Sequence, residues 1–307
     1  MIEVQDLVFE YPSKRALHGV SVTVSAGAIA ALVGPNGAGK TTLMRCIAAL
    51  DRPFSGRVKV DGKDVTLFPR ETHAKLGFLP DFYGLYDDLT VRQSLTFSAR
   101  AHGLPGEAVG GAVDKAARRV GLQDRMDERA ATLSRGLRQR LAIGQTIVHE
   151  PRVLLLDEPA SGLDPDARRA LSRLLIELKD QGMTLIVSSH ILSELEDYSS
   201  EMIIMDDGRI VGGEAKRVGT ASQLRLVIEL ARPRNDLAAF LSGQPGVLNV
   251  EATDGSATLS FASSPEARHA LLKALMDAGF EVAAFAPSKL RLQDVYFDEV
   301  DAKRRPQ

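Results

Sequence analysis

Eight consecutive residues, Gly34-Pro35-Asn36-Gly37-Ala38-Gly39-Lys40-Thr41, set two glycines, a lysine and a hydroxyl at the spacing G-x-x-x-x-G-K-[ST]. Glycines at these places let backbone N–H groups turn inward around phosphate oxygens, and a helix starting there adds the positive end of its dipole. Lys40 is expected to reach the β- and γ-phosphates of a nucleotide, and the Thr41 hydroxyl to ligate Mg²⁺. Thr42, next in the chain, counts among the same nucleotide-binding residues. A second constellation closes the apolar run Val153-Leu154-Leu155-Leu156 with the pair Asp157-Glu158. Adjacent acids at a buried strand end are costly unless neutralised. A Mg²⁺ ion beside Asp157 meets that need and leaves Glu158 free to orient or deprotonate an attacking water. A third stretch, Leu133-Ser134-Arg135-Gly136-Leu137, reads as a serine N-cap with a glycine two residues on, which is the makeup of an anion site at a helix start.

These groups need a scaffold, and the hydrophobic pattern supplies one. Ile2 to Tyr11 and Val20 to Val24 read as strands, and Ile29 to Val33 as a buried strand feeding the glycine loop. A helix is expected from about Lys40 to Leu50, with Leu43, Ile47 and Leu50 on one face and Pro53 beyond its end. Asp61-Gly62 is a hairpin signal. Residues from about 85 to 135 are mostly helical, as Val91 to His102 and Glu107 to Val120. Arg152 to Leu156 is apolar on both faces, as the interior of a parallel sheet demands. Asp164-Pro165 starts a helix that Gly182 ends, and Thr184 to Ser188 is the next strand. The expected fold is an α/β phosphate-loop NTPase domain over residues 1–217 with a helical insertion, plus a small α+β domain over 218–307. In the second domain the strands Leu224–Leu230, Val247–Ala252, Ala257–Phe261 and Glu281–Phe285 alternate with helices Asn235–Leu241 and Pro265–Ala278. The order βαββαβ is ferredoxin-like, and a last helix is expected from Leu292.

Bulk properties narrow the function classes. The chain has 307 residues, 44% of them hydrophobic and 25% charged, with a formal net charge of -2. That charge gives no case for nucleic acid as a partner, since such proteins carry a basic footprint. The basic end Lys303-Arg304-Arg305 reads as a solvated terminus. No stretch approaches the roughly 20 apolar residues that span a bilayer. The start, MIEVQDLVFEYP, lacks the pattern of a signal peptide. The single cysteine, Cys46, rules out an internal disulfide and is expected in the core.

Taken in order, these motifs resemble the ATPase subunits of ABC transporters. Leu133-Ser134-Arg135-Gly136-Leu137-Arg138-Gln139-Arg140 resembles their signature motif, normally LSGGQ or LSGGMRQR. Ser161-Gly162-Leu163-Asp164 resembles their D-loop, and His190 matches their switch histidine. Tyr11 sits where the family puts an aromatic ring against adenine. The resemblance runs from residue 1 to about 215 and implies ATP hydrolysis coupled to transmembrane transport, with ATP and Mg²⁺ as cofactors. It implies a head-to-tail dimer, with a second copy or a related subunit, in which two ATPs lie at the interface. Ser134 and Gly136 are then expected to contact the γ-phosphate held by the partner subunit, His190 the γ-phosphate of its own, and Asp164 to join the two sites. It also implies integral-membrane permease subunits as partners, and a cytoplasmic protein peripheral on the inner face of the membrane.

Two departures stand out. Arg135 replaces a glycine of the signature, a familiar variation. Asp81, in Leu79-Pro80-Asp81-Phe82, stands where the family usually has glutamine, so a shorter, acceptor-only carboxylate replaces an amide. It keeps the metal-sensing role by binding Mg²⁺, falls short and meets water only, or is a tolerated substitution. The end pattern Leu292-Gln293-Asp294-Val295-Tyr296-Phe297 resembles bacterial ABC-2 type exporters. The alternatives are a soluble ABC ATPase of translation or repair, and a regulator that binds ATP without hydrolysing it. A single phosphate loop and the absence of a heptad run oppose the first, and Glu158 with His190 opposes the second.

Overall fold

Strands β1 (Ile2–Tyr11) and β2 (Lys14–Val24) alternate buried and exposed positions, so their sheet has one wet face. Strand β3 (Ile29–Val33) is buried at every residue and belongs to a different layer. The computed structural model describes residues 1–82, 84–217, 224–261 and 265–288, in two compact units that divide between Lys216 and Arg217.

The first unit holds two sheets. β4 (Ser55–Val60) and β5 (Lys63–Asp64) join the antiparallel sheet in the order β2-β1-β4-β5. The β4–β5 turn is Asp61-Gly62, with φ of 53° and 76°, the double positive φ of a type I′ two-residue hairpin. The second sheet takes β6 (Leu76–Leu79), β7 (Val153–Asp157), β8 (Thr184–Ser189), β9 (Glu201–Asp206) and β10 (Arg209–Arg217) in the order β10-β9-β3-β8-β7-β6. Pairings β9-β3-β8-β7-β6 are all parallel, so the carboxyl ends of these strands share one edge. Between the sheets lies the core, filled by Ile2, Leu17, Leu43, Ile47, Val58, Leu155 and Ile186 among others. Cys46 is part of it, and burial pushes its thiol pKa up to about 12, so it packs and does not react.

Helix α1 (Lys40–Ile47) follows the glycine loop. It ends three residues before Leu50, the expected end, because the chain turns left-handed at Ala49 with φ 55°. Leu50 is consequently half-exposed. After α2 (Pro69–His73) come α3 (Val91–Ala101), α4 (Gly106–Arg119) and α5 (Arg135–Ile147), the helical insertion. Thr90 and Gln93 form a capping box at the start of α3. Gly144 on α5 admits Leu95 of α3 and Val120 beyond α4, which would lie 3.1 and 3.2 Å from a Cβ there. α6 (Pro165–Asp180) is capped by Asp164 and stops before Gly182 at φ 95°, and α7 (Leu192–Leu195) follows β8.

The second unit runs β11 (Leu224–Leu230), α8 (Leu237–Ser242), β12 (Val247–Ala252), β13 (Ser256–Phe261), α9 (Pro265–Asp277) and β14 (Val282–Ser288). Its antiparallel sheet has the order β12-β13-β11-β14 and its own core around Leu226, Ile228, Leu259, Phe261 and Leu275. The helix expected from Leu292 and the basic end at 303–305 lie outside the described residues.

A stacked histidine pair joins the ends of α3 and α5, and His149 also reaches the Leu76 carbonyl of β6 through Nε2 at 3.3 Å. His102, capping α3, stacks on His149, just past α5, with ring centroids 3.7 Å apart and planes 8° from parallel. Burial, with His102 alongside, pushes the His149 pKa from 6.5 down to about 4. The unfolded chain therefore binds a proton here more readily than the folded one, and stability falls as pH drops from 6.5 toward 4. A His149→Phe variant should show a shallower loss of urea-unfolding midpoint over that interval than the parent protein. Equal slopes would mean the stack contributes nothing to acid sensitivity.

Candidate functional site

The loop between β3 and α1 is wedged as well as glycine-rich. Gly34 has φ 154°, and a Cβ there would stand 2.2 Å from the Met205 carbonyl oxygen. At Gly39, φ 101°, a Cβ would meet the Ala16 carbonyl at 2.9 Å. Backbone from β9 and β2 therefore presses against the loop, and glycine is demanded by contact as well as by φ. Thr41 and Thr42 open α1, whose N-terminus carries the unpaired N–H groups that favour anions. Lys40 is buried, and its Nζ donates to the carbonyls of Gly34 at 2.8 Å and Pro35 at 3.3 Å. Desolvation lowers its pKa, opposed by the carboxylates of Glu158 and Asp157. The Glu158 Oε1 atom lies 3.8 Å from the ammonium.

Asp157 ends β7 and is only 3% exposed. Thr41 Oγ1 donates to its Oδ2 at 2.6 Å, and Ser188 Oγ donates to its Oδ1. Ser188 also accepts the Glu158 N–H at 3.0 Å. Glu158 has φ 49°, a left-handed value costly for a non-glycine residue and common at functional sites. Its Oε2 lies 2.9 Å from Nδ1 of the exposed His190. Lys40, Thr41, Asp157, Glu158 and His190 thus form one cluster at the carboxyl edge of the parallel sheet, where such sheets bind ligands. A threonine hydroxyl beside a carboxylate is a set of hard oxygen donors. It fits Mg²⁺, which takes few protein ligands and completes its shell with phosphates and water.

Tyr11 borders the cluster. Its ring packs edge-on against Phe9 with centroids 5.0 Å apart, and its hydroxyl lies 3.3 Å from Thr42 Oγ1. Tyr11 is 44% exposed, so part of its surface is free to take a ligand.

Ser134, Gly136 and Asp164 occupy a different place. Ser134 caps α5, accepting the Leu137 N–H at 3.4 Å, and Asp164 caps α6 through the N–H groups of Asp166 and Ala167. A Cβ on Gly136 would stand 2.9 Å from Ala167 Cβ, so this glycine lets the two helix starts meet. Among the described residues no hydrogen bond or ion pair links Ser134 or Gly136 to residues 34–42. Asp81 is exposed and lines a cavity of about 630 Å³ with Arg135, Arg138 and Glu158.

Two functional contacts escape sequence reasoning. Ser188 carries no local motif, and its role comes from pairing opposite Asp157 across β7 and β8. Arg135, read as a departure from a glycine, donates through Nη2 to the Ser161 carbonyl at 3.0 Å. Its guanidinium covers Gly162 so closely that a Cβ there would lie 2.3 Å away.

A buried parallel strand, a glycine loop, a helix, and an acidic pair ending a second parallel strand define a phosphate-loop NTPase. The pattern of the ABC transporter family matches residues 17–161. The ABC transporter ATP-binding protein NatA of Bacillus subtilis is 32% identical over 69% of this chain and 88% of its own. The daunorubicin/doxorubicin resistance ATP-binding protein DrrA of Streptomyces peucetius is 32% identical over 96% of this chain and 91% of its own. The Nod factor export ATP-binding protein I of Burkholderia lata is 31% identical over 89% of each chain. Among solved structures, cbiO1 from Clostridium perfringens, part of the ABC transporter complex cbiONQ, superposes with a TM-score of 0.63. It is 31% identical over 68% of this chain and 86% of its own. The chain belongs to the ATP-binding subunits of ABC transporters, a family of ATPases.

Ser188 bonds both acids of the cluster and is fully buried, so its hydroxyl is occupied by them. Ser188→Ala is expected to lower ATP turnover about 10–100-fold, as losses of groups that orient metal ligands do, and to raise the Mg²⁺ concentration needed for half-activity. Steady-state ATPase assays across a Mg²⁺ series check this, and an unchanged Mg²⁺ dependence would remove Ser188 from the positioning role.

Proposed function

We propose that this chain is the motor subunit of an exporter, closing head-to-tail with a second ATPase subunit around two ATPs and driving separate permease subunits. The observation that carries this reading is the cluster of Lys40, Thr41, Asp157, Glu158 and His190 on one sheet edge, with the signature helix start bonded elsewhere. The loop from Gly34 to Thr42 holds the phosphates on its backbone N–H groups, and the Lys40 ammonium moves from its loop carbonyls to the β/γ-phosphates. The Tyr11 ring takes the adenine on its exposed surface. Glu158 accepts a proton from, or orients, the attacking water, and His190 holds that carboxylate while reaching the γ-phosphate. Thr41 and Asp157 would hold Mg²⁺, which supplies positive charge against the phosphate oxygens in the transition state.

Ser134 and Gly136 sit at a helix N-terminus, and their bonding supports delivery to the phosphates of the other subunit, with Asp164 joining the sites. The domains are read as an ATPase domain, residues 1–217, and a ferredoxin-like domain, residues 218–307. Export is the direction because relatives matching most of the chain are named for Nod factor export and drug resistance. Among the described residues no helix is long and apolar enough to cross a membrane. On the proposed reading the permease is a separate chain and this subunit is peripheral on the cytoplasmic face.

The seat for the permease is a groove beside the hydrolytic site. A cavity of about 560 Å³ is lined by Leu50, Phe78, Pro80, Phe82 and His102. Phe82 lines this groove and also the cavity holding Glu158 and Asp81. A permease segment in the groove would press on Pro80-Asp81-Phe82 and so reach the hydrolytic site, which makes Asp81 the coupling residue and an added oxygen toward the metal.

Two experiments test the reading. Glu158→Gln and Ser134→Arg should each lose turnover by about 100-fold or more while Glu158→Gln still binds ATP. Mixing the two variants should restore part of the activity, because one mixed-dimer site then joins an intact loop to an intact signature. Activity that stays lost would place each site within one subunit. For Asp81, the Asp81→Gln and Asp81→Ala variants should differ from the parent in Mg²⁺ dependence, and matching titrations would end the metal role.

A further inference from the structure

Beyond the far end of α1 from the phosphate loop, the chain passes through Arg52-Pro53-Phe54 into β4. The β4–β5 hairpin brings a second segment alongside, and together they line a cavity of about 620 Å³. Into it face four cations, Arg52, Arg57, Lys59 and Lys63, with the apolar side chains of Phe54, Leu67 and Phe68. Those three are 74%, 71% and 46% exposed. Water disfavours apolar surface of this kind, and the fold leaves Phe54 and Leu67 mostly exposed and Phe68 about half-exposed.

The charge is uneven too. Lys63 pairs with Glu71 and lies 6.0 Å from the Phe68 ring centre. Asp64 spends its carboxylate on the N–H groups of Thr66 and Leu67. Arg52, Arg57 and Lys59 make no ion pair with any described residue. A chain of net charge -2 therefore concentrates unopposed cations on one small face.

Cations interleaved with exposed aromatic and aliphatic side chains match the lipid–water boundary, where ammonium and guanidinium groups meet phosphates and apolar groups enter the acyl margin. An acidic peptide fits less well, because the edge strand β5 is two residues long and cannot template an added strand. We propose that this face rests on the anionic headgroups of the membrane, a lipid contact separate from the permease contact. Its orientation rests on the docking reading above, since Leu50 lines the permease groove and Arg52, two residues on, lines the basic face.

The test is flotation of the full-length protein with vesicles of phosphatidylglycerol and phosphatidylethanolamine, against vesicles of phosphatidylcholine alone. The parent protein should float with the anionic vesicles only, and salt should release it. The double variant Arg57→Gln/Lys59→Gln should bind roughly 25-fold more weakly, about fivefold per cation. Phe54→Ser should also weaken binding, and ATPase rate and melting temperature should stay at parent values in all of these. Equal flotation with neutral vesicles, or variants that float like the parent, would overturn the proposal. So would a parent that ignores both vesicles while its variants lose the permease on co-purification, since the face would then bind protein. Failure of the docking reading shows differently, as a parent that floats with anionic vesicles yet never co-purifies with a permease.

Discussion

A carboxylate buried at the end of a parallel strand has to be given hydrogen-bond donors, or its desolvation costs several kcal/mol. Asp157 is in that position, and its two oxygens are taken by hydroxyls from two other elements, Thr41 at the start of α1 and Ser188 on β8. Meeting this one demand fixes much else. It couples the β7–β8 register, which sets Asp157 opposite Ser188, to the placement of α1 against the sheet edge. Once α1 is placed, the loop before it has nowhere to go but against Met205 and Ala16, which is why Gly34 and Gly39 tolerate no side chain. The same hydroxyl that serves Asp157 in this structure is chemically suited to share a divalent cation with it.

The signature helix takes its position from this cluster through a short path. Four residues beyond Asp157, the Ser161 carbonyl holds the Arg135 guanidinium, and three residues further Asp164 caps α6. Gly136 then brings α5 against Ala167 of α6. The start of α5 is thus referenced to the chain just after the acids, so a shift of the segment 158–164 must move the two helix starts together or break these contacts. Arg135 adds a bond to that linkage, and the small residue Gly136 stays where the helices touch.

Much of this was legible because the chemistry relies on contiguous spacing. The glycine loop, the acidic pair and the serine cap each need residues within one turn or one strand end, so local sequence carries them. The misses are of another kind. Ser188 matters through strand pairing across 31 residues, and nothing beside it in the chain announces that. The apolar spacing through Leu50 places the end of α1 three residues late, because the left-handed turn at Ala49 depends on the tertiary path into β4. The stacked pair His102 and His149 joins residues 47 apart in sequence, and neither has a local signature.

The acidic pair also poses a geometric problem that explains its backbone. Successive residues of a strand point to opposite faces. Asp157 points at Thr41 on the helix side, so in regular extended backbone Glu158 would face away from the loop. It instead comes within 3.8 Å of the Lys40 ammonium and 2.9 Å of His190. The left-handed turn at Glu158, φ 49°, redirects the chain as β7 ends and brings both carboxylates to the same edge. Glycine would adopt that φ with less strain, but it has no carboxylate. The strain, of order 1–3 kcal/mol, is offset where the Glu158 N–H donates to Ser188 and its side chain meets Lys40 and His190. A backbone conformation unfavourable by itself therefore persists because the cluster around it needs both acids on one side.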